Sequence, residues 1–167
     1  MKQTKPAQAM ELRSLSPVFG RLERRSEVGI AVRGLCPLIQ VFDMPTSLHF
    51  YRDVLGFAEV EKSGQGDDVG WVWLRHGDAC LMLNTAYDVG ERPAKPDAAR
   101  LAAHGDTILY LGCEDLEGAH SYLLTQGVQA EPPKVAPYGM KQLNATDPDG
   151  YGVCFQWPAD QAGHNGA

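Results

Sequence analysis

LCPLIQVFDMPTSLHFYRDVLGFAEVE, residues 35–61, decides the fold, because the chain states its plan twice. The second statement is DTILYLGCEDLEGAHSYLLTQGVQAE, residues 106–131. Each copy opens with an apolar strand (35–42 and 106–113) and meets an aspartate, Asp43 or Asp115. An aspartate there caps a helix N-terminus by accepting from the free amides of the first turn. Each helix then carries an apolar stripe at helical spacing. The stripes are Leu48, Tyr51, Val54 and Leu55, then Leu116, Ala119 and Leu123. Each helix ends at a glycine suited to a C-cap, Gly56 or Gly127, and a strand is expected from Phe57 or Val128.

Two hairpins complete the repeat. WVWLRHGDACLMLN, residues 71–84, reads as two strands about a Gly77-Asp78 turn. YGMKQLNATDPDGYGVCFQW, residues 138–157, reads as a second hairpin about Asp147-Pro148-Asp149-Gly150. Each half is therefore βαβββ. The fold class is α+β: two βαβββ modules forming a curled mixed sheet around a central cavity. Module 1 covers about 35–84 and module 2 about 106–158 of a domain spanning 34–158. The connector, 85–105, holds Pro93, Pro96 and a short helical piece at 97–103. Residues 1–33 are polar, with a basic patch at Arg21–Arg25, and read as a flexible extension. Residues 159–167 read as a flexible tail.

Bulk properties bound the function. The 167 residues are 44% apolar, enough for one domain with a real core. The net charge of −6, without a basic stripe, argues against nucleic acid. No apolar run nears the ~20 residues of a membrane span. Cys36, Cys80, Cys113 and Cys154 form no CxxC pair. Without a secretory signal they read as reduced thiols in a cytoplasmic protein, most simply as small core residues.

Strand period sorts the faces. In the first hairpin, His76 pairs with Ala79, Leu74 with Leu81 and Val72 with Leu83, an apolar set that packs under the helices. The opposite set pairs Arg75 with Cys80, Trp73 with Met82 and Trp71 with Asn84. Two tryptophans, a methionine and an arginine away from the helices imply contact with something, either a ligand or a dimer partner. Cys36, Leu38, Gln40 and Phe42 share a face, as do Asp106, Ile108 and Tyr110. On the last strand Tyr151, Val153, Phe155 and Trp157 face the helices, and Cys154 and Gln156 face away. The parity of strand 138–146 stays open, since a bulge near Thr146 inverts it. His104 reads as an exposed loop residue, and His49 and His120 as solvent-facing helix residues.

VFDMPTSLHFYRDVLGF, LYLGCEDLEGAHSYLLTQGV and PYGMKQLNATDPDGYGVCFQWP together resemble the glyoxalase/bleomycin-resistance/extradiol-dioxygenase superfamily, the vicinal oxygen chelate proteins. The resemblance covers about Leu35 to Pro158 and speaks to fold more than to function. It implies a cavity that, in metal-using members, holds a cation on His, Gln or Glu. The ligand-equivalent positions here are Cys36, Asp106 and Cys154, with a fourth near Met82. None carries the usual residue, so no cofactor or metal is expected. A zinc site on two thiolates and a carboxylate is the alternative.

The resemblance then points to bleomycin-resistance-like members that bind small molecules without a metal. The expected cavity residues are Gln40, Trp71, Trp73, Arg75, Met82, Asn84, Asp106, Tyr110, Cys154 and Gln156. The expected ligand is a small aromatic or amphipathic molecule, and a homodimer is implied. A metal-dependent lyase, isomerase or dioxygenase with an atypical site is the competing reading, and Asp106 acting alone as a base is a third.

Overall fold

The computed structural model describes Ile30 and residues 34–87 and 90–161. The expected extension and tail, His164 included, lie outside the described residues apart from Ile30 and residues 159–161. Residues 34–161, apart from 88–89, belong to one compact unit. Module 1 contains β1 (Leu38–Val41), α1 (Met44–Leu48), β2 (Ala58–Lys62), β3 (Trp71–His76) and β4 (Ala79–Thr85). The connector carries α2 (Ala98–His104). Module 2 contains β5 (Ile108–Gly112), α3 (Leu116–Thr125), β6 (Lys134–Val135), β7 (Met140–Thr146) and β8 (Gly152–Pro158).

The strands make two four-stranded sheets, ordered β1-β4-β3-β2 and β5-β8-β7-β6. In each, the first strand pairs in parallel with the last, and the other pairs are antiparallel. The same order in both sheets establishes the βαβββ repeat. The sheets are separate and close no barrel.

Both helices start as their aspartates dictate. Asp43 accepts from the Thr46 amide at 3.0 Å and also holds the Thr46 hydroxyl, while Asp115 accepts from the Gly118 amide at 2.8 Å. The first helix then widens. Over His49–Val54 it is a π-helix, with the Leu55 amide reaching Phe50 O at 2.9 Å, five residues back. Phe50, Tyr51 and Val54 are all buried there.

The sheet faces divide by parity. Hairpin β3–β4 has Val72↔Leu83, Leu74↔Leu81 and His76↔Ala79 on one face, with Trp71↔Asn84, Trp73↔Met82 and Arg75↔Cys80 on the other. Val72, Leu74, Leu81 and Leu83 are buried with Met44, Leu48 and Tyr51. Each such side chain contributes about 1.5–3 kcal/mol by leaving water. Hairpin β7–β8 runs without a bulge to Thr146↔Gly152, which fixes the parity that the sequence left open. Leu143 and Ala145 face the core, so Met140, Gln142, Asn144 and Thr146 share the opposite face.

Several expectations need revision. β1 and β5 are shorter than read, and Asp106 lies in the turn before β5, exposed, rather than within the strand. Val128 does not open a full strand. Pro132 and Pro133 have no amide hydrogen to give a ladder, and the segment reduces to one bridge, Ala130↔Ala145, and the two residues of β6. His104 is no loose loop residue. It ends α2, stacks on Tyr151 with ring centroids 4.1 Å apart, and bonds Asp149 O through Nδ1 at 2.7 Å. His120 is half-buried, with Nε2 at 3.2 Å from Ala130 O.

The two modules share their interiors. Tyr151, just before β8, and Val153 of β8 join the core of module 1, and Val54 of the first helix joins the core of module 2. The Tyr122 hydroxyl donates to Val54 O at 3.1 Å. The Asp147–Gly150 turn is the polar joint. Asp149 accepts from the Phe42 amide at 2.7 Å and the Ser47 hydroxyl at 2.9 Å. Asp147 accepts the Tyr51 hydroxyl at 2.7 Å and the amides of Asp149 and Tyr151. The two carboxylates are only 5% and 2% exposed. Burial raises both carboxyl pKa values, against the lowering pull of these bonds.

Candidate functional site

Each sheet keeps one face away from its helix, and the two faces differ in chemistry. On the first sheet, β1 supplies Gln40, β3 supplies Trp71, Trp73 and Arg75, and β4 supplies Met82 and Asn84. The register sets Gln40 beside Asn84, Asn84 beside Trp71, and Trp73 beside Met82. The Asn84 amide donates to Gln40 Oε1 at 3.3 Å, which fixes both side chains. Trp71, Trp73 and Met82 are half-buried. The Trp73 Nε1 atom is buried and faces the Cys36 sulfur, a weak acceptor. Arg75 is exposed and uses Nε on Gly77 O at 3.0 Å.

Beside Trp73 lies an open hollow of about 330 Å³. Its walls are Leu35 and Cys36 before β1, Trp73 and Arg75 of β3, Asp78 of the turn and Cys80 of β4. That volume is within the range of small-molecule sites. Cys80 and Asp78 were not singled out as site residues from the sequence. The pairing of Cys80 with Arg75 across the hairpin was the available signal.

On the second sheet, Ile108 and Tyr110 of β5 stand beside Gly152 and Cys154 of β8, and Cys154 stands beside Asn144 of β7. Ile108 is 46% and Tyr110 54% exposed. Gln142 donates to Gln156 Oε1 at 3.1 Å, a second amide pair like Gln40–Asn84. Gln142 was not proposed from the sequence, because its strand parity was open. Cys154 occupies the expected face but is 1% exposed, and burial raises its thiol pKa.

The sequence-derived site therefore falls into two groups. Gln40, Trp71, Trp73, Arg75, Met82 and Asn84 gather on the first sheet, and Tyr110, Cys154 and Gln156 on the second. Asp106 belongs to neither strand set. The three ligand-equivalent positions are likewise separated: Cys36 before β1, Asp106 in a turn, Cys154 in β8. Among the described residues no group of three His, Cys, Asp or Glu side chains is placed to hold a metal ion.

Two βαβββ modules, each a four-stranded sheet with one helix-covered face, define the vicinal oxygen chelate architecture. The family model described as Glyoxalase/Bleomycin resistance protein/Dioxygenase superfamily matches residues 34–155. The chain belongs to that superfamily. Among solved structures it is similar to TnmS3, an antibiotic binding protein from Streptomyces sp. CB03234. That match has 22% identity and a TM-score of 0.58, and covers 78% of this chain and 99% of the other. It is similar too to a bleomycin resistance determinant encoded on transposon Tn5. Here identity is 21% and the TM-score 0.57, with 75% and 97% of the chains covered. A glyoxalase/bleomycin resistance protein from Streptomyces sp. CB03234 matches at 23% identity and TM-score 0.53, covering 75% and 100%. At such identities the likeness establishes the fold alone. No curated protein matches in sequence. No helix among the described residues is long and apolar enough to cross a membrane.

Proposed function

We propose that the protein binds a small aromatic or amphipathic molecule on its open sheet faces, without a bound metal, and acts by sequestering it. The observation that carries this reading is the half-buried Trp71–Trp73–Met82 surface beside an open hollow. Flat apolar rings supply stacking and area, and Arg75 supplies orientation and charge. Bleomycin-resistance and antibiotic-binding neighbours support small-molecule binding as the activity. The exposed Leu38, Ile108 and Tyr110 support a homodimer in which a second copy covers these faces. The free thiols support a reducing compartment, the cytoplasm.

A thermal-shift screen of aromatic small molecules, run with divalent metals and again with a chelator, tests the reading. The expected hit raises the melting temperature equally under both conditions. Trp73→Ala weakens its binding by at least about tenfold, as for loss of a buried aromatic anchor. Hits that depend wholly on added metal would overturn metal independence. Hits indifferent to both Trp71→Ala and Trp73→Ala would move the site elsewhere.

A further inference from the structure

Cys36 and Cys80 stand side by side on adjacent chain segments. Leu38 pairs with Met82 in the parallel β1–β4 ladder, and the Met82 amide bonds Pro37 O at 2.8 Å. Two residues back along both chains, the same register sets Cys36 opposite Cys80. The Cys80 sulfur lies 3.0 Å from Leu35 O, beside the Cys36 backbone. Both thiols are half-buried and both line the open hollow by Trp73, so small molecules reach them. The Cys36 and Cys80 side chains are close enough to hydrogen-bond; burial, and then that neighbour, push the Cys36 thiol up to about 11, which makes Cys36 the slower attacker. Neighbouring strands lie about 4.8 Å apart. That is inside the Cα separation of about 4.4–6.8 Å that a disulfide spans.

We propose that Cys36 and Cys80 form a redox-active dithiol, which a small-molecule disulfide converts into an intramolecular Cys36–Cys80 bond. One thiolate attacks a sulfur of the disulfide RSSR, forming a mixed disulfide and releasing RS⁻. The second thiolate attacks the protein sulfur of that mixed disulfide, closing the Cys36–Cys80 bond and releasing the second RS⁻. The protein gives up two electrons and two protons, and RSSR leaves as two RSH. The bond fastens residues 35–36 to the start of β4, along one wall of the hollow. Cys113 and Cys154 stand apart from this pair: Cys113 follows β5, and Cys154 is buried in the second sheet.

The test uses the full chain and oxidised glutathione, followed by alkylation and intact-mass measurement under native and denaturing conditions. The expected product has two alkylatable thiols instead of four and a mass lower by about 2 Da. Peptide mapping places the crosslink at Cys36–Cys80, and dithiothreitol restores all four thiols. The oxidised form melts at least about 5 °C higher, because the crosslink restricts the unfolded chain. Cys36→Ser and Cys80→Ser each stop at a stable glutathione adduct or stay unmodified, whereas Cys113→Ser still crosslinks. A wild type that accumulates only stable adducts, crosslinks another pair, or keeps four free thiols while folded overturns the proposal. None of these readouts needs the ligand, so they stand or fall separately from the binding reading.

Discussion

The two hairpin turns occupy the same place in the repeat and do different work. In module 1, Gly77 and Asp78 join β3 to β4 in two exposed residues. In module 2, residues 147–151 join β7 to β8 and hold the other module through Phe42, just before its first helix, and through Ser47 and Tyr51 of that helix. A repeat gives each half the same skeleton. Only one of the two turns has become the joint between them, because its two aspartates supply four acceptor oxygens at a place where the other module's amide and hydroxyls are buried.

The contrast breaks most sharply at the turn glycines. Gly150 has φ +87, and a Cβ there would sit 2.6 Å from Leu101 O of α2. Gly150→Ala is expected to cost about 3 kcal/mol, from left-handed strain plus a backbone clash. Gly77, with φ +56 and nothing within 4 Å, carries only the conformational part, about 1 kcal/mol. Denaturant midpoints of the two variants check this. Equal losses would mean that α2 does not press on the turn.

Next come the turn aspartates. Asp149→Ala strips acceptors from a half-buried amide and a buried hydroxyl and should cost about 2 kcal/mol. Asp78→Ala should stay within about 0.5 kcal/mol. The pH dependence has a definite sign. The folded-state pKa of Asp149 is raised, so its contribution is fully present below the ordinary aspartate value near ~3.9 and is lost as pH rises through the folded value. The deficit of Asp149→Ala against wild type therefore widens as the pH is lowered. A deficit that shrinks toward acid would contradict the buried-carboxyl assignment.

A smaller effect separates the sheet edges. Arg52 binds Asp53, Glu59 and Asp67, and Lys62 joins Glu59, fastening the five-residue β2 edge. Hydrogen bonds from Arg52 and Lys62 lower the pKa values of all three acids. Stability from a lowered pKa is present above the unfolded value and lost as pH falls through the folded one. The deficit of Arg52→Ala should thus be largest near neutrality, at most about 1 kcal/mol for so exposed a network, and fade toward pH 3. Among the described residues the matching edge in module 2 has the exposed Glu131–Lys134 pair alone, and Lys134→Ala should leave the midpoint unchanged. Urea midpoints at pH 3, 5 and 7 test both.

Much of this was legible in local sequence. Asp43, Asp115, Gly56 and Gly127 bounded the helices because caps depend on residues a few positions apart. Gly77-Asp78 set the β3–β4 register, and with it the Trp71, Trp73, Arg75, Met82 and Asn84 face, because a two-residue turn leaves one pairing. Parity failed where a bulge was conceivable, and so Gln142 was missed. The π-helix at His49–Val54 had no local signature. Pro132 and Pro133 warned against a full edge strand, but the general plan of the repeat masked them.

The sequence by itself determined the two modules, their helices and the two faces of each sheet, since these follow from side-chain period and from turn and cap chemistry over short stretches. Tertiary structure alone decided how the modules hold each other. Tyr51 and Asp147 are 96 positions apart, Ser47 and Asp149 are 102 apart, and Cys36 meets Cys80 only across a parallel ladder. No period or turn rule relates such residues. Their partnership comes from the burial of one module's polar groups against the other's, which forces each donor to find an acceptor from whatever chain the fold brings near.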